Sequence, residues 1–118
     1  MFGCSATNNL PSVADLIGTW HAHNNFVITF KSNNEFDITF INKENNKIFN
    51  GFYFVDNLNF LQTITLKKIN KFEGSLHSIF KFIDLNTIKI SKFSKHLKTR
   101  PITFEKNNYF IIKRNIIP

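Results

Sequence analysis

Phe26-Val27-Ile28-Thr29-Phe30-Lys31-Ser32-Asn33-Asn34-Glu35-Phe36-Asp37-Ile38-Thr39-Phe40 decides the fold. Large apolar residues recur at every second position: Phe26, Ile28 and Phe30, then Phe36, Ile38 and Phe40, with Val27, Thr29, Asp37 and Thr39 between them. A period of two puts each trio on one face of a strand. Ser32-Asn33-Asn34 separates the runs, and Asn tolerates positive φ and bonds its own backbone, so the stretch reads as a hairpin.

Outward from this hairpin the pattern repeats through Ile48 to Phe54, Phe60 to Lys67, Leu76 to Ile83, Thr87 to Phe93 and Asn108 to Arg114. Lys43-Glu44-Asn45-Asn46, Asp56-Asn57, Asn70-Lys71-Phe72-Glu73-Gly74, Asp84-Leu85-Asn86 and Lys106-Asn107 supply the turns. No segment is long enough for a helical crossover, so the strands form an antiparallel meander. An open sheet of that size would expose two long edges, and closing it removes them. The expected fold is therefore all-β, an up-and-down meander closed into a barrel of about eight strands.

The length, 118 residues, fits one domain, and 42% hydrophobic residues with 15 Phe exclude a disordered chain. Apolar runs of four or five residues exclude a membrane-spanning helix. With Cys4 alone, neither a disulfide framework nor a cysteine zinc site can be built within the chain. Residues 1–11 read as a flexible tail and 12–118 as the barrel domain. Within the tail, Phe2-Gly3-Cys4-Ser5 resembles the junction between a bacterial lipoprotein signal and its mature protein, although no charged segment or apolar core precedes it. Cys4 is then either a lipid-bearing residue that tethers the domain or a free thiol.

Just before the first strand, Pro11 to Gly18 reads as one or two helical turns, with Ser12 and Asp15 capping the start and Gly18 in a left-handed conformation at the end. Leu16-Ile17-Gly18-Thr19-Trp20 resembles the L-x-G-T-W opening of small bacterial lipocalin-like barrel domains. Phe26 to Lys31 ("ITFK"), Asn50-Gly51-Phe52-Tyr53 ("G-x-Y"), Arg100-Pro101-Ile102-Thr103-Phe104 ("RP-x-x-F") and a last strand ending in Lys113-Arg114 follow in the same order. The resemblance implies a barrel plugged at the Trp20 end, with Gly18 at the turn and Arg114 lying across the indole. The chain departs from secreted lipocalins in being shorter and lacking a disulfide.

If the barrel carries a ligand, Phe26, Ile28, Phe30, Phe36, Ile38, Phe40, Phe52, Phe54, Phe80 and Phe82 are the expected lining, with Ile88 and Ile90. Against this, Phe is bulky and few Ala or Gly open space, so the same side chains can pack solidly. His21 and His23 share a strand face without a third ligand nearby in sequence, and read as solvated rather than metal-binding. No carboxylate sits in an apolar run that would raise its pKa, and there is no Gly-rich phosphate loop or Gly-x-Ser-x-Gly elbow. The expectation is no enzyme, no cofactor and no metal.

The charge of +7 is uneven, because residues 1–59 carry −2 and the rest +9. A basic half suits an anionic partner, such as an acidic lipid or polysaccharide surface. The plainer reading is the water side of a sheet, where Lys67, Lys81, Lys89, Lys92, Lys95 and Lys98 intersperse with buried Ile, Phe and Leu. The 17 Asn, with abundant Lys, Ile and Phe, also resemble the product of an AT-rich coding sequence. Lys89 to Arg100 combines basic residues with Phe93, a thin platform for nucleic acid, which is not the expected partner. The leading expectation is a cell-envelope barrel binding a small hydrophobic or amphiphilic ligand. The alternatives are a protein-interaction or inhibitor module with a basic outer face, and a cytoplasmic nucleic-acid-binding barrel if Cys4 is not a lipoprotein cysteine.

Overall fold

A computed structural model describes residues 12–41, 46–58, 61–96, 103–104 and 106–114. The tail with Cys4, and also Lys43, Glu44, Phe60, Lys98, Glu105 and Arg100-Pro101-Ile102, lie outside the described residues. A 3-10 turn, Val13–Leu16, leads into β1 (Gly18–Ala22), β2 (Phe26–Phe30), β3 (Glu35–Phe40), β4 (Lys47–Leu58), β5 (Leu61–Lys67), β6 (Leu76–Asp84), β7 (Thr87–Ser91) and β8 (Tyr109–Arg114). Each strand pairs antiparallel with the next, and β8 returns to β1, closing an eight-stranded barrel. The expected helix is a single 3-10 turn, held by Asp15, whose carboxylate accepts from the Ser12 N–H at 2.7 Å.

The meander gives the barrel two unlike ends. One carries the 3-10 turn, the β2–β3 and β6–β7 connections and the last residue of β8. The other carries the β1–β2, β3–β4, β5–β6 and β7–β8 connections. We call these the plugged end and the mouth.

Alternation in β2 and β3 puts Phe26, Ile28, Phe30, Phe36 and Ile38 in the interior, all buried. Each fully buried side chain of this size contributes about 1.5–3 kcal/mol over an exposed one. Phe80 is buried in the same core, and Phe82, half-buried, meets the edge of Trp20 at 6.2 Å between ring centres.

Phe52 and Phe54 do not line the interior. The register pairs Phe36 with Gly51 and Ile38 with Phe49, so the odd-numbered residues of β4 face inward. Tyr53 is buried, donating its hydroxyl hydrogen to the Lys31 carbonyl at 2.8 Å, whereas Phe52 and Phe54 are 38% and 51% exposed. A one-residue shift of register exchanges the two faces of a strand, and Phe-Tyr-Phe is aromatic on both.

Gly51 is required by its neighbours. A Cβ there would stand 2.6 Å from the Lys67 carbonyl oxygen and 3.0 Å from that of Lys68. The β5–β6 connection thus crosses β4 at van der Waals distance. It is held there by the Asn70 N–H on the Asn50 carbonyl (3.0 Å) and the Asn50 N–H on Asn70 Oδ1 (2.7 Å).

Candidate functional site

At the plugged end, Gly18, Trp20 and Arg114 form one cluster. Trp20 is completely buried and its indole N–H donates to the Leu16 carbonyl at 2.8 Å, tying the 3-10 turn over the barrel. Arg114 Cζ lies 4.3 Å from the centre of the indole, and its guanidinium donates to the carbonyls of Asp15, Ile17 (2.8 Å) and Leu85 (3.1 Å). Gly18 has φ +135°, and a Cβ on it would meet Arg114 Nη1 at 2.7 Å. These contacts fill the end and bind backbone, so the cluster is architectural.

The mouth is different. Phe36, Ile38, Phe40, Phe49, Leu66, Ile69, Phe72 and Leu76 surround a recess of about 180 Å³ with a wholly apolar lining. Alternation on β3 supplies the first three, and the Asn50–Asn70 clasp fixes the connection that brings in Ile69 and Phe72. The solid-core expectation therefore describes the Trp20 half and fails at the mouth. Of the expected lining residues, the structure brings Phe36, Ile38 and Phe40 to this recess. Phe26, Ile28, Phe30 and Phe80 belong to the packed core, with Phe82 beside it. Ile88 and Ile90 are core residues as well. Phe49, Leu66 and Leu76 lie in expected strands but were not among the expected lining, and Ile69 and Phe72 lie beside and within the stretch Asn70 to Gly74, which reads as a polar turn.

Cations gather around this opening. Lys47 follows the β3–β4 connection, Lys68 and Lys71 lie in the β5–β6 connection, and Lys92, Lys95 and Lys106 lie between β7 and β8. Glu73 is the sole carboxylate in these connections among the described residues. Lys95 Nζ stands 5.4 Å from the ring centre of Phe72, and Lys68 and Lys92 stand 6.0 Å from those of Phe52 and Phe110. A ring holds an ammonium group without cancelling its charge. On the outer wall, Lys67 lies over Phe54 at 5.1 Å, and Lys89 over Tyr109 at 4.4 Å.

The other candidates do not assemble a reactive centre. His23 is exposed in the β1–β2 turn with φ +46°, and the half-buried His21 has an Nε2 without a hydrogen-bond partner among the described residues. No group of three or more His, Cys, Asp or Glu among the described residues could hold a metal ion. Ser78 and Ser91 are buried, but Ser78 Oγ donates to the Ser91 carbonyl at 2.8 Å and Ser91 Oγ accepts from the Ile79 N–H at 3.0 Å. Their hydroxyls serve the β6–β7 ladder. Asp37 pairs with Lys31 at 3.0 Å, and this hydrogen bond and charge raise the Lys31 pKa above its ordinary value. Burial raises that of Tyr53. No helix among the described residues is long and apolar enough to cross a membrane.

Comparison with protein families, with curated proteins and with solved structures found no match.

Proposed function

We propose that this chain is a non-enzymatic, lipocalin-like barrel of the bacterial cell envelope that takes a small hydrophobic or amphiphilic ligand at its mouth. One observation carries the reading: the eight side chains around the recess are all apolar. Apolar cavities of about 150 Å³ stay dry and accept benzene, so a space of this order suits one aromatic ring or a hydrocarbon chain of similar volume. The envelope location rests on the Phe2 to Ser5 resemblance alone.

Titrating toluene and 1-octanol into isotope-labelled protein tests the reading by amide shifts. Shifts centred on Phe36, Phe49, Leu66 and Phe72, abolished by Leu76→Trp, are the expected result. Saturating probe that moves none of these amides overturns it. Native mass spectrometry of protein from its own host would then identify a co-purifying ligand.

A second reading, an interaction module using the outer face, draws on Phe52 and Phe54 with Lys68 and Lys67 over their rings. Exposed aromatics beside cations also suit stacked bases. Loss of binding to a captured protein or to single-stranded DNA in Phe52→Ser/Phe54→Ser, with toluene shifts retained, would favour it.

A further inference from the structure

Large apolar side chains are exposed at both ends of the barrel, in opposite electrostatic settings. At the mouth, the β3–β4 hairpin presents Phe40, Ile41 (44% exposed) and Ile48 (59% exposed). At the plugged end, Ile83 and Leu85 are equally exposed but flank Asp84. The plugged end's Lys31 is held by Asp37 and its Arg114 by three carbonyls, while its exposed Lys113 shares a groove with Asp84. Among the described residues, Lys47, Lys68, Lys71, Lys92 and Lys95 have no ion-pair partner.

Charge and apolar surface are interleaved at the mouth. Lys47, Ile48 and Lys71 line one shallow groove with Asn46 and Phe49, and Phe49 also walls the recess. A soluble polyanion would satisfy the lysines but offers no apolar phase for Ile48 and Ile41. An anionic bilayer offers both within a few ångströms, headgroup phosphates above and acyl chains below.

We propose that the mouth docks on an anionic lipid bilayer, with Phe40, Ile41 and Ile48 entering the headgroup boundary while Lys47 and Lys71 lie against phosphates. Docking in this orientation opens the recess onto lipid, so an apolar ligand moves between bilayer and protein without crossing water. That consequence rests on the ligand-binding reading; the docking itself does not.

Flotation with vesicles of phosphatidylcholine, alone or with about a third phosphatidylglycerol, tests the proposal. The full chain should float with the anionic vesicles only. Each lysine near a charged surface is worth about fivefold in partitioning, so Lys47→Gln/Lys71→Gln should lose roughly 25-fold. Ile48→Ser should lose roughly tenfold through lost apolar contact. Lys81→Gln/Lys89→Gln, on the barrel wall, removes the same charge and should lose less than threefold. Both pairs carry exposed or half-exposed side chains whose loss leaves the core untouched.

Equal losses from the two pairs would reduce the effect to net charge and overturn the proposal. So would an unchanged partition for Ile48→Ser, or binding to dextran sulfate as tight as to vesicles, which would mark a polyanion site. Leu76→Trp separates the two readings: it should abolish toluene shifts and keep flotation. Flotation without toluene shifts in the native chain would remove the ligand reading alone, and toluene shifts without flotation would remove the docking alone.

Discussion

The two ends of the barrel are built from similar materials to opposite effect. Trp20 is enclosed by the 3-10 turn, Phe82 and an arginine whose hydrogen bonds all end on backbone carbonyls. At the mouth, Phe49, Phe72 and Leu76 stand around open volume, and Lys68, Lys92 and Lys95 rest on aromatic rings. Close packing with satisfied polar groups gives one end rigidity. The other keeps apolar surface and charge available. On the proposed reading, the end that is packed solid is not the end that binds.

Substitutions should expose this division. Trp20→Ala leaves a void among Leu16, Phe82 and Arg114 and should cost about 3–5 kcal/mol, enough to unfold a marginal domain in urea titration. Retention of a cooperative midpoint near that of the native chain would break the distinction between the ends. Gly51→Ala forces a Cβ onto the Lys67 carbonyl and should cost about 2–3 kcal/mol while displacing Ile69 and Phe72. Its amide shifts should centre on residues 66–72, showing that the recess depends on that crossing.

Arg114→Lys keeps the charge but loses the planar fork and should cost about 2 kcal/mol, read in the same titration. Tyr53→Phe removes one hydrogen bond, worth about 1 kcal/mol at neutral pH. It also changes the alkaline limb. The folded pKa of Tyr53 is raised, so its contribution is intact below the unfolded value of about 10 and is lost as pH climbs from there toward the folded value. Thermal melts of Tyr53→Phe should therefore fall less steeply above pH 10. Leu76→Trp should change stability by less than about 1 kcal/mol, because the added ring enters existing space. It should nonetheless abolish toluene binding.

Strand order was readable because Phe26 to Phe40 alternates, with every large apolar residue but Val27 on one parity. Gly18, Trp20 and Arg114 were readable as a set through the L-x-G-T-W resemblance. At Phe52-Tyr53-Phe54 both parities are aromatic, and the choice fell to contacts distant in sequence: Gly51 beneath the Lys67 carbonyl and the Tyr53 hydroxyl on Lys31. The recess was hidden for a related reason. Ile69 and Phe72 lie among Asn, Lys and Gly, and the Asn50–Asn70 clasp, formed across twenty residues, holds the segment that carries them against β4. The lysines were visible as a basic half, but period-two alternation distinguishes the faces of a strand and not its ends. The excess at the mouth follows from which connections share an end.

The seam that closes the barrel has its own consequence. Trp20 pairs with Arg114 and His21 with Lys113 across it. The Arg114 side chain, bonded to carbonyls 97 and 99 residues earlier, joins the last strand to the segment that precedes the first. Contacts this distant in sequence must meet the loop-closure entropy of almost the whole chain before they form. The local β2–β3 hairpin should therefore form ahead of the closing seam, and Arg114→Lys should speed unfolding more than it slows folding, which stopped-flow kinetics in urea would read.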